Sequence, residues 1–123
     1  AGTPYAARWS PNQRYLVTAG TTGNWQYWDR ISKDEPLRPA RTGRGHSAPV
    51  FGIAWQQAGQ RLATADQGGK LFLWSASDGN LLYHAQLPAP AAYSVAYSPD
   101  GKELAVATSD RRLLLLAIPS FAQ

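Results

Sequence analysis

The chain repeats itself three times. Residues 8–29 (RWSPNQRYLVTAGTTGNWQYWD), 54–75 (AWQQAGQRLATADQGGKLFLWS) and 96–117 (AYSPDGKELAVATSDRRLLLLA) align without a gap. Leu16, Leu62 and Leu104 correspond, at offsets of 46 and 42 residues. Trp9, Trp55 and Tyr97 share those offsets, as do Trp28, Trp74 and Leu116, and Ala19, Ala65 and Ala107. A period of this size makes each repeat one supersecondary unit, which buries its apolar surface against its neighbours.

Each unit reads as short strands. The first alternates, as Tyr5-Ala7-Trp9, Phe51-Ile53-Trp55 and Tyr93-Val95-Tyr97, which predicts one face more deeply buried than the other. A turn follows at Ser10-Pro11-Asn12, Gln57-Ala58-Gly59 or Ser98-Pro99-Asp100-Gly101. Second strands are predicted at Tyr15–Ala19, Arg61–Ala65 and Glu103–Ala107. A tight turn then carries Gly23, Gly68-Gly69 or Asp110. Third strands follow at Trp25–Trp28, Leu71–Trp74 and Leu113–Leu116. In unit two a fourth strand is predicted over Asn80–Gln86; unit one, also read with four strands, has a longer Pro- and Arg-rich connection there, over 30–44. Neighbouring side chains of a strand point to opposite faces, so the runs Leu71-Phe72-Leu73-Trp74 and Leu113-Leu114-Leu115-Leu116 predict strands apolar on both faces.

This pattern resembles the WD-repeat β-propeller family. Gly45-His46 precedes a first strand, Ser98-Pro99-Asp100-Gly101 follows one, and Trp28-Asp29 closes a third strand. Trp74-Ser75 and Leu116-Ala117 stand where Trp-Asp is expected. The resemblance implies an all-β partial propeller of three four-stranded antiparallel blades, the last lacking its outer strand. The blades are expected at about 4–45, 46–87 and 88–119, in a single partial propeller domain over 1–123. Doubly apolar strands then lie between stacked sheets.

The resemblance also implies a hydrogen-bonded quartet in each blade: a His before the first strand, a Ser or Thr on the second, an Asp in the next turn and the Trp on the third. By position, unit two offers His46, Thr64 and Trp74, with Gly68 where Asp is expected and Asp66 two residues away. Unit one offers Thr18 and Trp28, and unit three keeps Asp110 but has Pro88, Val106 and Leu116 elsewhere. No unit is expected to be complete, and unit three is expected to rely on apolar packing. His46 is read as structural, and His84 as a surface residue of an outer strand.

No catalytic constellation is visible, so the chain reads as a non-enzyme without cofactor or metal. Cysteine is absent, which removes disulfides and thiolate metal sites. Gly43-Arg44-Gly45-His46-Ser47-Ala48 matches a dinucleotide fingerprint in letters, but Pro49-Val50 leads on into a strand, not a helix. The carboxylates cluster in turns, where solvation and turn chemistry explain them. The longest aliphatic run, Leu113 to Ile118, is too short to cross a bilayer, and no secretory signal is visible. These features name no compartment, though they lean towards the cytoplasm.

Function is therefore expected to be binding. The resemblance implies a protein-interaction scaffold within a larger protein or assembly. It also implies that the second-to-third turns and the segments leading into first strands share one face of the disc. There Arg41, Arg44, Lys70, Arg111 and Arg112 form a candidate rim for an acidic partner. Twelve Lys and Arg against eight Asp and Glu give a net charge of +4. Binding of anions or nucleic acid through that rim is an alternative, although no aromatic residues are expected among its loops.

Propellers take four to eight blades. Three blades leave two faces bare, and if each exposes roughly 500 Å² of apolar area, the deficit is about 12 kcal/mol per face. Two remedies are expected: the chain is the C-terminal part of a longer propeller, or three-blade chains assemble into a closed ring. The absence of methionine and of a latch strand favours the first.

Overall fold

Strand ends coincide with turn residues throughout the chain. The computed structural model describes residues 3–30, 32, 34–43, 45–56, 61–76 and 78–118, with Arg41 described by its backbone alone. The first sheet contains β1 (Pro4–Trp9), β2 (Tyr15–Gly20), β3 (Trp25–Asp29) and β4 (Arg38–Gly43). The second contains β5 (Val50–Trp55), β6 (Arg61–Asp66), β7 (Lys70–Ser75) and β8 (Leu81–Gln86). The third contains β9 (Ala92–Tyr97), β10 (Glu103–Thr108) and β11 (Leu113–Ala117). Each sheet is an antiparallel meander in chain order, and among the described residues the third has three strands. The Gln57-Ala58-Gly59 turn and the segment after Ile118 lie outside the described residues.

The sheets stack face to face. Val17, Ala19, Trp25 and Tyr27 of the first sheet form one core with Val50, Ile53, Leu62, Phe72 and Trp74 of the second. Ala63, Ala65, Leu71 and Leu73, from the opposite face of the second sheet, form another with Val95, Leu104 and Val106 of the third. All four residues of Leu71-Phe72-Leu73-Trp74 are buried, two in each core. The Leu113–Leu116 run is covered on one face only: Leu114 and Leu116 pack on the second core, while Leu113 and Leu115 are 67% and 65% exposed.

First strands depart from simple alternation. Pairing in β1 skips from Pro4 to Ala6, in β5 from Val50 to Gly52, and in β9 from Ala92 to Ser94. A bulge of this kind adds one residue and changes which face that side chain reaches. Tyr5, Phe51 and Tyr93 are the bulged residues, and they are not the buried members of an alternating face. Tyr5 and Tyr93 are exposed and Phe51 is half-buried. Their rings form a ladder from sheet to sheet, with centroids 5.0 Å and 5.4 Å apart.

Candidate functional site

Two features gather the residues of interest: a buried polar chain in the second sheet, and a loop face shared by all three.

The buried chain starts where the connection from β4 delivers His46 against the second sheet. Its Nδ1 lies 2.7 Å from Asp66 Oδ2, and its Nε2 lies 2.5 Å from Thr64 Oγ1. Trp74 Nε1 donates to the same hydroxyl at 2.9 Å. Asp66 Oδ1 accepts from the backbone N–H groups of Gly68 and Lys70, both at 2.9 Å. All four side chains are buried. One proton assignment satisfies every member. The Trp74 N–H donates to Thr64, the Thr64 O–H donates to His46 Nε2, and His46 Nδ1–H donates to Asp66. This requires a neutral imidazole. Burial pushes the His46 pKa below its ordinary value, and outweighs the opposing hydrogen bond and charge of Asp66.

Unit two is therefore complete, contrary to the expectation that no unit would be. Gly68 does leave the turn without a carboxylate, but Asp66 at the end of β6 reaches both the turn amides and the histidine. The signal was present as an Asp closing an otherwise apolar strand. Unit one keeps only half of the chain, with Trp28 Nε1 donating to Thr18 Oγ1 at 3.0 Å. Beside that pair opens a groove of about 510 Å³, lined by Thr18, Gly20, Trp28 and Thr42 among others. Asp110, kept by unit three at the Asp position without the other members, lies on the surface. It accepts from the Thr108 hydroxyl at 2.5 Å and pairs with Arg112 at 2.9 Å. The Thr108 hydroxyl caps the turn by accepting from the Arg112 N–H at 3.0 Å. Those bonds hold the Asp110 carboxylate below its usual range, the Thr108 hydrogen bond most of all.

The loop face arises from one repeated hydrogen bond. Thr21, Gln67 and Ser109, at the second turns, donate to the carbonyls of Thr3, Pro49 and Ala91, just before the first strands. Both loop sets therefore share one edge of every sheet. Lys70 and Arg111 are exposed there. Arg111 has φ 69°, at the turn position that Gly23 and Gly69 occupy in the other units with φ 78° and 80°. An L-residue pays about 1–2 kcal/mol for that conformation, which glycine does not. Arg112 is engaged with Asp110 and with the Pro88 carbonyl, so it is not a free rim cation. Arg41 belongs to β4, the outer strand, and not to a loop as expected; its side chain and Arg44 lie outside the described residues. His84 is exposed on β8, as read from the sequence.

Among the described residues, no group of three or more His, Cys, Asp and Glu is placed to hold a metal. Among the same residues, no helix is long and apolar enough to cross a membrane.

The family model "WD domain, G-beta repeat" matches residues 2–29, 37–75 and 84–115. The chain belongs to the WD40 family. Its similar proteins include the guanine nucleotide-binding protein subunit beta-1 of Caenorhabditis briggsae, 31% identical over 80% of this chain and 27% of that protein. The corresponding beta subunit of Arabidopsis thaliana is 28% identical over 67% of this chain and 22% of its own length. Among solved structures, the Cps50 (Swd1) beta-propeller domain of Myceliophteria thermophila superposes with a TM-score of 0.86 at 25% identity, covering 98% of this chain and 37% of that one. This WD40 chain thus spans about a quarter of the length of these curated relatives. Its three sheets are those of a partial β-propeller.

Proposed function

We propose that this WD40 chain is a non-catalytic interaction module that presents its loop face to an acidic protein partner, while its end sheets take further propeller sheets. The observation that carries the reading is Arg111. It keeps a left-handed backbone conformation at an exposed turn, where both sister units use glycine. Strain of this kind persists where the surrounding structure holds it, and it clusters at binding sites. Lys70 adds a second exposed cation on the same face, and the Tyr5–Phe51–Tyr93 ladder supplies partly exposed aromatic surface at the innermost strands. Rigid loops lose little entropy on docking. The similar proteins are named as subunits, which suits a role in assembly.

The test is retention of the chain on immobilised poly-glutamate. Wild-type protein is expected to be retained, and Lys70→Glu with Arg111→Glu is expected to lose retention while its circular dichroism is unchanged. Equal retention of wild type and variant would remove this face from consideration. Preferential retention on heparin, falling steeply with salt, would point to nucleic acid or another polyanion instead.

A further inference from the structure

We infer that Asp110 is a built-in competitor on the loop face: its ion pair with Arg112 withholds that cation, and an acidic partner gains Arg112 by displacing the Asp110 carboxylate. This rests on the loop-face reading and names how that face is regulated.

Asp110 differs from the other turn carboxylates in what it bonds. Asp66 Oδ1 accepts from the N–H groups of Gly68 and Lys70. Asp78 accepts from the Asn80 N–H at 2.9 Å, and Asp100 from the Lys102 N–H at 3.0 Å. Each of these caps the backbone of its own turn. At the β10–β11 turn a hydroxyl does this instead, since the Arg112 N–H donates to Thr108 Oγ1. The Asp110 carboxylate takes two side-chain donors, the Thr108 hydroxyl on Oδ1 and Arg112 Nε on Oδ2. The turn is capped without Asp110, so what the carboxylate adds is its hold on Arg112.

Arg112 stands where a partner reaches it. The 87–91 connection crosses the loop face between two turns. The Leu87 N–H donates to the Gly69 carbonyl of the β6–β7 turn at 2.8 Å, and Arg112 Nη2 donates to the Pro88 carbonyl from the β10–β11 turn. Consecutive residues of one connection thus tie both turns together, with Lys70 and Arg111 exposed beside them. The Arg112 and Asp110 side chains are themselves 46% and 36% exposed. A guanidinium carries five N–H donors in one plane. The bonds to Asp110 and Pro88 leave donors on Nη1 and Nη2 for an incoming carboxylate.

Exchange is easy in both directions, because an ion pair this exposed contributes little in water. Asp110 is ionised at neutral pH, its pKa held below the usual range by the Thr108 hydrogen bond foremost. It therefore occupies Arg112 and repels an acidic partner at once. Asparagine at this position keeps an acceptor for Thr108 and removes the charge, while the neutral Pro88 carbonyl still orients Arg112.

The test is the affinity of the 123-residue chain for immobilised poly-glutamate, by biolayer interferometry at low salt. Asp110→Asn is expected to bind about two- to fivefold more tightly than wild type, the range that an exposed pair supports. Asp100→Asn makes the same change of charge in the β9–β10 turn, at the opposite edge of the sheet, and is expected to leave binding unchanged. Arg112→Gln is expected to weaken binding more in the Asp110→Asn background than in wild type, since only there is the guanidinium unmasked. Equal affinity of Asp110→Asn and Asp100→Asn overturns the inference. So does an equal effect of Arg112→Gln in both backgrounds, which is what two charges acting independently on the partner give. The loop-face reading fails separately. If Lys70→Glu with Arg111→Glu loses retention but Asp110→Asn gains none, the competitor alone is removed; if retention ignores Lys70 and Arg111, the face falls and the competitor falls with it.

Discussion

The second and third sheets share strand order, register and turn positions, yet they secure the turn after their second strand by different chemistry. In the second, a residue delivered from the connection, His46, joins Asp66, Thr64 and Trp74 in a buried chain. In the third, Pro88 stands where the histidine would be, and the turn is held locally by Thr108, Asp110 and Arg112 near the surface. Val106 and Leu116 then take the places of Thr64 and Trp74, so those two positions bury no polar side chain. Such a network is stabilising when every member is satisfied, and half a network is worse than an apolar core. The two sheets show both acceptable solutions.

The hardest blow to the contrast is Asp66→Ala. It orphans the His46 N–H and two turn amides at once, and is expected to cost about 3–5 kcal/mol in urea unfolding, as for other broken buried pairs. Asp110→Ala, at the surface of the third sheet, is expected to lower the urea midpoint far less. A similar loss from both would show that the local cap and the buried chain are equivalent.

Thr64→Val against Thr18→Val sharpens the same point. The first leaves the Trp74 N–H and His46 Nε2 without partners, for an expected loss of about 2 kcal/mol. The second removes a single acceptor beside an open groove, and is expected to cost less than about 1 kcal/mol. Thermal unfolding of the two variants decides it.

Just below neutral pH, the response traces to His46 in the second sheet. His46 is neutral when folded, with a pKa below the ordinary value of about 6.5, so the unfolded chain takes up the proton first as pH falls. Its contribution is fully present above about pH 6.5 and is lost as pH falls from there through the lower folded-state value. The urea midpoint is therefore expected to fall between pH 7.5 and 5.5. The slope should flatten in His46→Gln.

Two gains of stability are expected from the third sheet. Arg111→Gly relieves the left-handed backbone and is expected to stabilise by about 1 kcal/mol, while weakening retention on poly-glutamate. Smallest is Tyr97→Phe. Among the described residues, the Tyr97 hydroxyl is buried without a hydrogen-bond partner, and burial pushes its pKa up to about 12. Removing that hydroxyl is expected to be neutral or stabilising by less than about 1 kcal/mol. A clear loss in either variant would mean that the third sheet leans on polar contacts after all.

Much of this was legible in the residues. Equal offsets of leucine, tryptophan and alanine located the second and third strands to within a residue or two, because each unit keeps the same apolar spacing, whereas β4 lies inside the 30–44 stretch read as a connection. The role of His46 was legible too, from Gly-His ahead of a strand. Asp66 as its partner was not, because position along the chain pointed to Gly68 and only the path of the turn brings Asp66 Oδ1 to the amides. The ladder of Tyr5, Phe51 and Tyr93, exposed or half-buried, breaks the alternation expected of the first strands. A bulge adds one residue to the strand, and nothing in the letters marks it. The rim narrowed for a similar reason: a neighbouring carboxylate and carbonyl engage Arg112, and strand pairing carries Arg41 away from the loops.

Taken alone, the sequence determined three equivalent β-sheet units, the faces each would grease and the turns that separate them, since those depend on local periodicity and backbone chemistry. Tertiary structure decided which greased face is covered, which carboxylate meets the histidine and which arginine stays free. Those outcomes depend on what stands opposite in space. Leu73 and Leu115 are the same residue in the same strand position, one 1% exposed and the other 65%, because a further sheet lies over only one of them.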